Sequence, residues 1–228
     1  MSLSIVMPCY NEAGVIESVI RSFHKEITNK VRCSEFIIVD DSSTDNTSDI
    51  LNKLKLEFNN IRILRTEKNV GHGKAVRLGY DNVKYDYVFQ VDSDNQFNVE
   101  DFPKFYELKD KFDFILGYRV NRNDPVSRLI LTRILRLLVV IIFGIRVKDI
   151  NCPYRLIKRE KLTELIKEID TNALTPNIML SILAKKRGLK FTEIAVSHNK
   201  RQTGFIFAFS WKLIKFSFTA FFQVLKIR

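Results

Sequence analysis

The chain has 228 residues, enough for one domain with a substantial core, and its 46% hydrophobic content excludes wholesale disorder. Its 37 Lys and Arg against 26 Asp and Glu give a net charge of +11, which favours an anionic partner: nucleic acid, a phosphorylated substrate or an acidic lipid surface. The 3 cysteines have no metal-binding spacing and the N-terminus lacks a signal-peptide pattern, so we expect a reducing compartment and no secretion.

Strand and helix patterns alternate from the N-terminus to about residue 116. Five β-favouring runs predict strands, at 3–9, 36–39, 61–64, 85–91 and 112–116. Apolar residues at helical spacing lie between these runs, which predicts an α/β fold with a mostly parallel sheet flanked by helices. Ligands of such sheets bind at the carboxyl ends of the strands, where five polar side chains are expected: Tyr10, Glu12, Asp41, Asp92 and Asp94.

The fourth predicted strand ends in two aspartates. Asp92 and Asp94 are two residues apart, so an extended backbone points both to the same side, and Gln96 adds a neutral oxygen in the same phase. Mg²⁺ and Mn²⁺ prefer few carboxylates together with substrate phosphates, so this turn is a candidate site for a metal-bridged diphosphate. An ordinary polar turn after a strand is the alternative.

The stretch GHGK at 71–74 begins the third predicted helix. It lacks the first glycine and the Ser or Thr of a P-loop, and it does not match a dinucleotide-binding fingerprint, so neither an ATPase nor an NAD enzyme is favoured. Lys74 is either a phosphate ligand at the helix N-terminus or a residue of a solvated surface helix. None of His24, His72 and His198 is expected to be a general base, and His72 is interpreted as a solvated loop residue, with a position near the donor as the alternative.

The chain becomes basic and apolar after Gly117. The apolar run at 137–143 is too short to span a bilayer, and its helix could face either the core or a membrane. Residues 205–228 are rich in aromatic side chains, with lysines gathered on one side of a helix. We expect this amphipathic helix to lie in the headgroup plane of an anionic membrane; burial against protein or a second subunit is the alternative.

Four ordered stretches together resemble family 2 glycosyltransferases of the GT-A fold: VMPCYNE at 6–12, VDDSSTD at 39–45, NVGHGKA at 69–75 and DSDNQ at 92–96. Two further stretches, GYR at 117–119 and DINCPYRL at 149–156, are similar to those of the polyprenyl-phosphate sugar synthases, the dolichyl-phosphate mannose synthase group. The resemblance covers about residues 3–204. It implies a GT-A catalytic domain at 1–204, with a nucleotide-sugar-binding half at 1–118 and an acceptor half at 119–204, followed by the amphipathic helix at 205–228.

The resemblance also implies roles for the residues that match its motifs. The nucleotide-sugar site would contain Pro8, Tyr10, Glu12, Val39, Asp41, Lys74, Asp92 and Ser93. Within it, Tyr10 would lie against the base and Asp41 would hydrogen-bond to base or ribose. The metal, Mg²⁺ or Mn²⁺, would be bound with the diphosphate by Asp92, Asp94 and Gln96.

The implied catalytic group is Asp94, Arg119 and Arg128. Both arginines would bind phosphates of donor and acceptor, with Arg133 as the alternative to Arg128, because a planar guanidinium suits bidentate phosphate binding. Two positions depart from the pattern of the relatives. Asn177 stands where many have Glu, and FI at 205–206 stands where a Ser-Lys pair often occurs.

The implied reaction is inverting, metal-dependent transfer of a hexose, of mannose or glucose type, from a nucleotide-diphosphate sugar to a polyprenyl (dolichyl) phosphate. A lipid phosphate is already anionic at neutral pH, so alignment suffices and no strong base is needed. We expect a peripheral or monotopic protein at the cytoplasmic face of a membrane.

Two alternatives remain open: transfer to a hydroxyl of a glycan, glycolipid or protein, and a non-catalytic membrane-associated scaffold. Basic charge beside apolar stripes argues against a nucleic-acid partner. The sequence favours neither GDP nor UDP as the nucleotide, and no particular oligomeric state.

Overall fold

A computed structural model describes residues 2–120, 126–200 and 211–227. It contains one seven-stranded sheet in the order β3-β2-β1-β4-β6-β5-β7. The strands are β1 Ser2–Cys9, β2 Cys33–Asp40, β3 Ile61–Arg65, β4 Tyr87–Gln90, β5 Phe114–Val120, β6 Arg155–Lys158 and β7 Phe191–Ser197. The helices are α1 Ile16–Lys30, α2 Thr47–Glu57, α3 His72–Asp81, α4 Phe102–Leu108, α5 Val126–Phe143, α6 Arg159–Ile166, α7 Pro176–Lys186 and α8 Trp211–Leu225.

The sheet is mostly parallel, which confirms the predicted α/β fold. Strand β6 runs antiparallel to β4 and to β5, whereas the other paired strands of the described chain are parallel. The five predicted strands are present with small shifts of their ends. No strand was predicted after β5, and the structure contains two further strands, β6 and β7.

Helices cover both faces of the sheet. Phe36 and Ile38 of β2 belong to the main buried cluster with Ile20 of α1, whereas Ile37 and Val39 form a second cluster with Ala75 of α3, all buried. Because successive side chains of a strand point to opposite faces, α1 and α3 lie on opposite sides of the sheet. The third helix begins after Gly71, as predicted, where φ is 89°, a left-handed value that glycine adopts without strain.

The C-terminal helix α8 is attached to the protein near its end. The side chain of Gln223 accepts a hydrogen bond from Leu174 N at 2.8 Å and donates one to Asn172 O at 3.3 Å. On the same helix, Phe218 and Phe222 are exposed. Nowhere in the described ranges does a helix have both the length and the apolar content needed to cross a membrane.

Candidate active site

The carboxyl ends of β2, β1 and β4 lie side by side at one edge of the sheet, and the predicted polar residues follow them. Register pairs Cys9 with Asp40, and Asp41 N donates a hydrogen bond to Cys9 O at 2.9 Å. The next strand, β4, pairs with β1 and is followed by Asp92. The structure therefore brings the polar segments that follow these three strands to one edge, as the sequence predicted.

An exposed aromatic side chain follows the end of β1. Tyr10 is 43% exposed, so its aromatic face is available for stacking. Pro8 of β1 and Val39 of β2 are paired in the sheet, and both are buried. Glu12 is buried as well, and its backbone N donates to Thr47 Oγ1 at 2.9 Å. The roles of these side chains toward a nucleoside stay predictions.

Asp41 holds the loop that leads into α3. One carboxylate oxygen, Oδ1, accepts hydrogen bonds from Val70 N at 2.8 Å and Thr66 Oγ1 at 2.9 Å, and Oδ2 accepts one from Gly71 N at 2.8 Å. The residue is buried. This loop-fixing role was not foreseen from the sequence, and the predicted contact of Asp41 with base or ribose stays a prediction.

The turn after β4 places two carboxylates beside a histidine. Asp94 Oδ1 accepts a hydrogen bond from Gln96 N at 3.2 Å, across Asn95, whose φ of 59° is a left-handed value that asparagine tolerates. The His72 Nε2 atom lies 2.9 Å from Asp92 Oδ1, so this histidine contacts the turn although 55% of its side chain is exposed. Desolvation lowers the pKa of His72, but the charge of Asp92 and the hydrogen bond to it outweigh this effect and raise the pKa above its ordinary value.

The donor atoms of this turn fit a hard divalent cation that is also bound by phosphate. The side chain of Asp92 is 26% exposed, whereas Ser93, Asp94 and Gln96 are buried. Among the described residues, no group of three or more His, Cys, Asp or Glu side chains is placed to hold a metal ion. Two carboxylates and an amide oxygen would therefore need substrate phosphate oxygens to complete a coordination shell.

Contacts from the second half of the chain fix the far end of this turn. Gln96 Nε2 donates a hydrogen bond to Asn199 O at 3.1 Å, and Asn199 N donates to Gln96 O at 2.8 Å. Phe97 forms an isolated bridge with His198. The turn is thus positioned by α3 on one side and by residues 198–199 on the other.

The first turn of α3 packs tightly against a neighbouring loop. A Cβ atom added to Gly73 would lie 2.3 Å from Leu174 O, so only glycine permits this approach. Lys74 follows in the same turn and is half-buried. The structure thus places Lys74 two residues after His72, and its binding of a phosphate stays a prediction.

The structure describes the side chains of two of the three arginines that were predicted to bind phosphates. Arg119 Nε donates to Asp149 Oδ2 at 2.6 Å and Arg119 Nη2 donates to Asp149 Oδ1 at 2.9 Å, a bidentate pair that is largely buried. Arg133 is exposed on α5. The position of Arg128 is on the same helix, and its side chain lies outside the described part of the structure.

Four residues that the sequence analysis did not assign to the site form a buried polar cluster next to Asp92. They are Tyr80, Gln90, Arg155 and Asn177. Gln90 Nε2 lies 3.5 Å from Asp92 Oδ1, and the Tyr80 hydroxyl lies 2.9 Å from Gln90 Oε1 and 3.2 Å from Asn177 Oδ1. The one sequence signal was polar side chains inside apolar segments, at Gln90 in YVFQ and at Arg155 in RLIK.

Comparison with known proteins identifies relatives of this chain. Residues 4–179 match the family described as Glycosyl transferase family 2. A curated relative, undecaprenyl-phosphate 4-deoxy-4-formamido-L-arabinose transferase of Salmonella choleraesuis (strain SC-B67), is 26% identical over 204 residues, which make up 89% of this chain and 61% of that protein. The chain therefore spans about three fifths of the length of the curated relatives that it matches.

Solved structures share the fold. Glucosyl-3-phosphoglycerate synthase from Mycobacterium tuberculosis, in complex with Mn²⁺, uridine diphosphate and glucosyl-3-phosphoglycerate, has a TM-score of 0.74 and 20% identity, covering 99% of this chain and 79% of that one. S. aureus TarS 1-349 has a TM-score of 0.61 and 20% identity, covering 86% of this chain and 59% of its own.

Proposed function

Since the chain belongs to glycosyl transferase family 2, we propose that it transfers a sugar from a nucleotide-diphosphate sugar to a polyprenyl phosphate. The family and the GT-A fold predicted from the sequence motifs are both confirmed. One observation carries the donor half of the proposal: the turn with Asp92 and Asp94 lies at the same sheet edge as exposed Tyr10. Such an edge can bind a base at one end and a metal-bridged diphosphate at the other.

In the proposed mechanism, an oxygen of the acceptor phosphate attacks the anomeric carbon in line with the bond to the diphosphate. The new carbon–oxygen bond forms as the old one breaks, and the nucleoside diphosphate leaves with the electron pair, which inverts the anomeric configuration. Asp92, Asp94 and Gln96 would hold Mg²⁺ or Mn²⁺. This ion, when bound, supplies positive charge that stabilises the leaving diphosphate.

The residues near the predicted acceptor-binding arginine favour a phosphate rather than a hydroxyl as the acceptor. A hydroxyl needs a carboxylate base, whereas a phosphate arrives ionised. Asn177, at the position where the sequence resemblance leads us to expect Glu, is buried and uncharged, and the carboxylate of Asp149 is bound by Arg119. The name of the curated relative, an undecaprenyl-phosphate transferase, is the second support for a polyprenyl-phosphate acceptor.

We also propose that the transferred group is a hexose of mannose or glucose type. In addition, we propose that the protein binds at the cytoplasmic face of a membrane as a peripheral or monotopic protein. Two helices support membrane contact through exposed apolar side chains: Ile134, Leu137 and Ile141 on α5, and Phe218 and Phe222 on α8. The net charge of +11 favours an anionic lipid surface.

The test is a transfer assay with radiolabelled donors. Purified protein is incubated with Mg²⁺ or Mn²⁺, undecaprenyl phosphate, and in turn GDP-mannose, UDP-glucose, UDP-N-acetylglucosamine and a UDP-linked 4-deoxy-4-formamido-L-arabinose. We expect label to enter the organic phase with one of these donors, and EDTA to abolish the transfer. Label appearing only on glycan, glycolipid or protein hydroxyls would overturn the proposed acceptor.

Two variants test the assigned turn in the same assay. Asp94→Asn is expected to reduce transfer by at least about a hundredfold, because it removes charge from the proposed metal site. Asp110→Asn is the matched control, since Asp110 is exposed and pairs with Lys109 on the surface. Full activity of Asp94→Asn with continued dependence on metal would refute the metal assignment.

A further inference from the structure

Arg155, the first residue of β6, is a buried cation. Its exposure is 0%, and in the described ranges no carboxylate lies within ion-pair distance of its guanidinium. It donates hydrogen bonds to the neutral oxygens Cys152 O, Asn177 O at 2.9 Å and Ser181 Oγ at 3.4 Å. Burying a charge without a counter-charge is strongly unfavourable, and neutral acceptors offset only part of that cost. A purely structural role would be served as well by a paired arginine, such as Arg119 with Asp149.

The strand register places Arg155 at the edge of the sheet that carries the site. It pairs with Gln90 of β4 on one side and with Leu116 of β5 on the other. Asp92 follows Gln90 by two residues and Arg119 follows Leu116 by three. Directly paired residues of antiparallel strands project to the same face, so Arg155 lies on the face of Gln90, whose Nε2 is 3.5 Å from Asp92 Oδ1.

The hydrogen-bond partners of the guanidinium are uncharged. Gln90 pairs with Arg155 in the sheet and its side chain contacts both Tyr80 and Asp92, and burial raises the pKa of the Tyr80 hydroxyl, which therefore stays neutral. Asn177 places its amide oxygen 3.2 Å from the Tyr80 hydroxyl and its backbone oxygen 2.9 Å from Arg155 Nη1. Burial lowers the pKa of Arg155, yet a guanidinium remains protonated in proteins. The positive charge thus acts on Asp92 and on Asp149, and the carboxylate of Asp149 is already bound by Arg119.

We propose that Arg155 is an electrostatic positioning residue of the donor site and that Asn177 keeps its charge available. This inference rests on the proposed function. Arg155 does not touch the substrate; its charge offsets the carboxylates of Asp92 and Asp94, so that the same turn can bind a nucleotide diphosphate. A carboxylate at position 177 would place a negative charge beside the Tyr80 hydroxyl in the same buried cluster and counteract the effect of the guanidinium on Asp92.

The deciding variant is Asn177→Asp, which adds one charge with little change of shape. An aspartate keeps an acceptor oxygen for Tyr80 and brings a negative charge into the buried cluster that contains Arg155, whose guanidinium contacts the backbone oxygen of residue 177. We expect opposite effects on two measurements. The midpoint of urea denaturation rises, because a buried cation gains an opposite charge in its cluster, while UDP or GDP binds about tenfold more weakly in isothermal titration calorimetry with Mg²⁺, the effect of one partly buried unit charge.

Two further variants serve as controls. Asn172→Asp makes the same chemical change at an exposed position five residues earlier, and it is expected to bind nucleotide like the wild type. Arg155→Lys keeps the positive charge, and it is expected to retain nucleotide affinity within about threefold even if its stability falls.

The results distinguish a failure of the proposed role of Arg155 from a failure of the proposed function. Nucleotide affinity of Asn177→Asp equal to that of the wild type, or lower stability of this variant, would overturn the role of Arg155 while leaving the proposed function intact. A wild-type protein that binds neither UDP nor GDP would overturn the proposed function itself, and the inference with it.

Discussion

Replacing Asp41 by asparagine tests how the loop before α3 is held beside the proposed donor site. The carboxylate of Asp41 accepts three hydrogen bonds from the loop before α3, at Val70 N, Gly71 N and Thr66 Oγ1. Asparagine has the same shape but only one acceptor oxygen, and its NH₂ group must face one side of this loop. If the amide oxygen keeps Val70 and Thr66, the NH₂ group points at Gly71 N–H, which is also a donor.

The expected cost follows from that mismatch. At least one charge-assisted hydrogen bond of 2.8 Å is lost, and a partly buried backbone N–H is left without an acceptor. Hydrogen bonds to charged groups contribute about 1.5–3 kcal/mol, so we expect Asp41→Asn to lower the free energy of unfolding by about 2–3 kcal/mol. Nucleotide affinity should fall too, because Gly71 leads directly into His72 and the site.

Urea denaturation followed by circular dichroism measures the first effect, and titration calorimetry with UDP or GDP measures the second. Asp49→Asn is the matched control, since Asp49 is exposed on α2 and the same change there should cost less than about 0.5 kcal/mol. Thr66→Val removes the hydrogen bonds of this hydroxyl to Asp41 and, at 3.4 Å, to Ser42 Oγ but keeps the carboxylate, so it shows how much of the affinity loss comes from the loop alone. A stability loss below about 0.5 kcal/mol for Asp41→Asn would refute the loop-fixing role.

Three other changes have defined outcomes. Gly73→Ala should destabilise the fold by about 1–3 kcal/mol, despite the better helix propensity of alanine, because its Cβ would lie 2.3 Å from Leu174 O; a gain in the urea midpoint would contradict this. Gln223→Ala should cost about 1–2 kcal/mol and speed amide hydrogen exchange at Leu174 N, which loses its 2.8 Å acceptor; unchanged exchange would argue against that contact. Burial raises the pKa of Asp113, but the hydrogen bond from Lys158 outweighs this effect and keeps the pKa below its ordinary value. Its contribution to stability is therefore present above the unfolded pKa and lost as pH falls through the folded value, so Asp113→Asn should lower stability at pH 7 and flatten its decline below about pH 4.

The sequence predicted the first half of the sheet well because its strands are long or sharply bounded. β1 and β2 are runs of eight residues, almost all buried, and a turn-forming polar segment follows each one. The second half lacks such signals. β6 is four residues long and begins with a buried arginine, and α7 is buried on nearly every side, so neither shows a clear period.

The site shows the same division between local and long-range information. The spacing of Asp92 and Asp94, and their position after a strand, can be predicted from the chain itself. The contact of His72 with Asp92 joins residues 20 apart, and the pair of Arg119 and Asp149 joins residues 30 apart. These contacts depend on where helices and loops pack against the sheet, and no local sequence pattern specifies that packing.

The predicted nucleotide-sugar half at 1–118 and the predicted acceptor half at 119–204 are joined in a single sheet. Strand β6 comes from the second half and lies between β4 and β5, which the first half supplies for the most part. Without β6, facing edges of β4 and β5 would lose their hydrogen-bonding partners. The Asp92 turn depends on both halves in the same way, through His72 on one side and Asn199 on the other. The proposed donor site therefore depends on contacts from both halves of the chain.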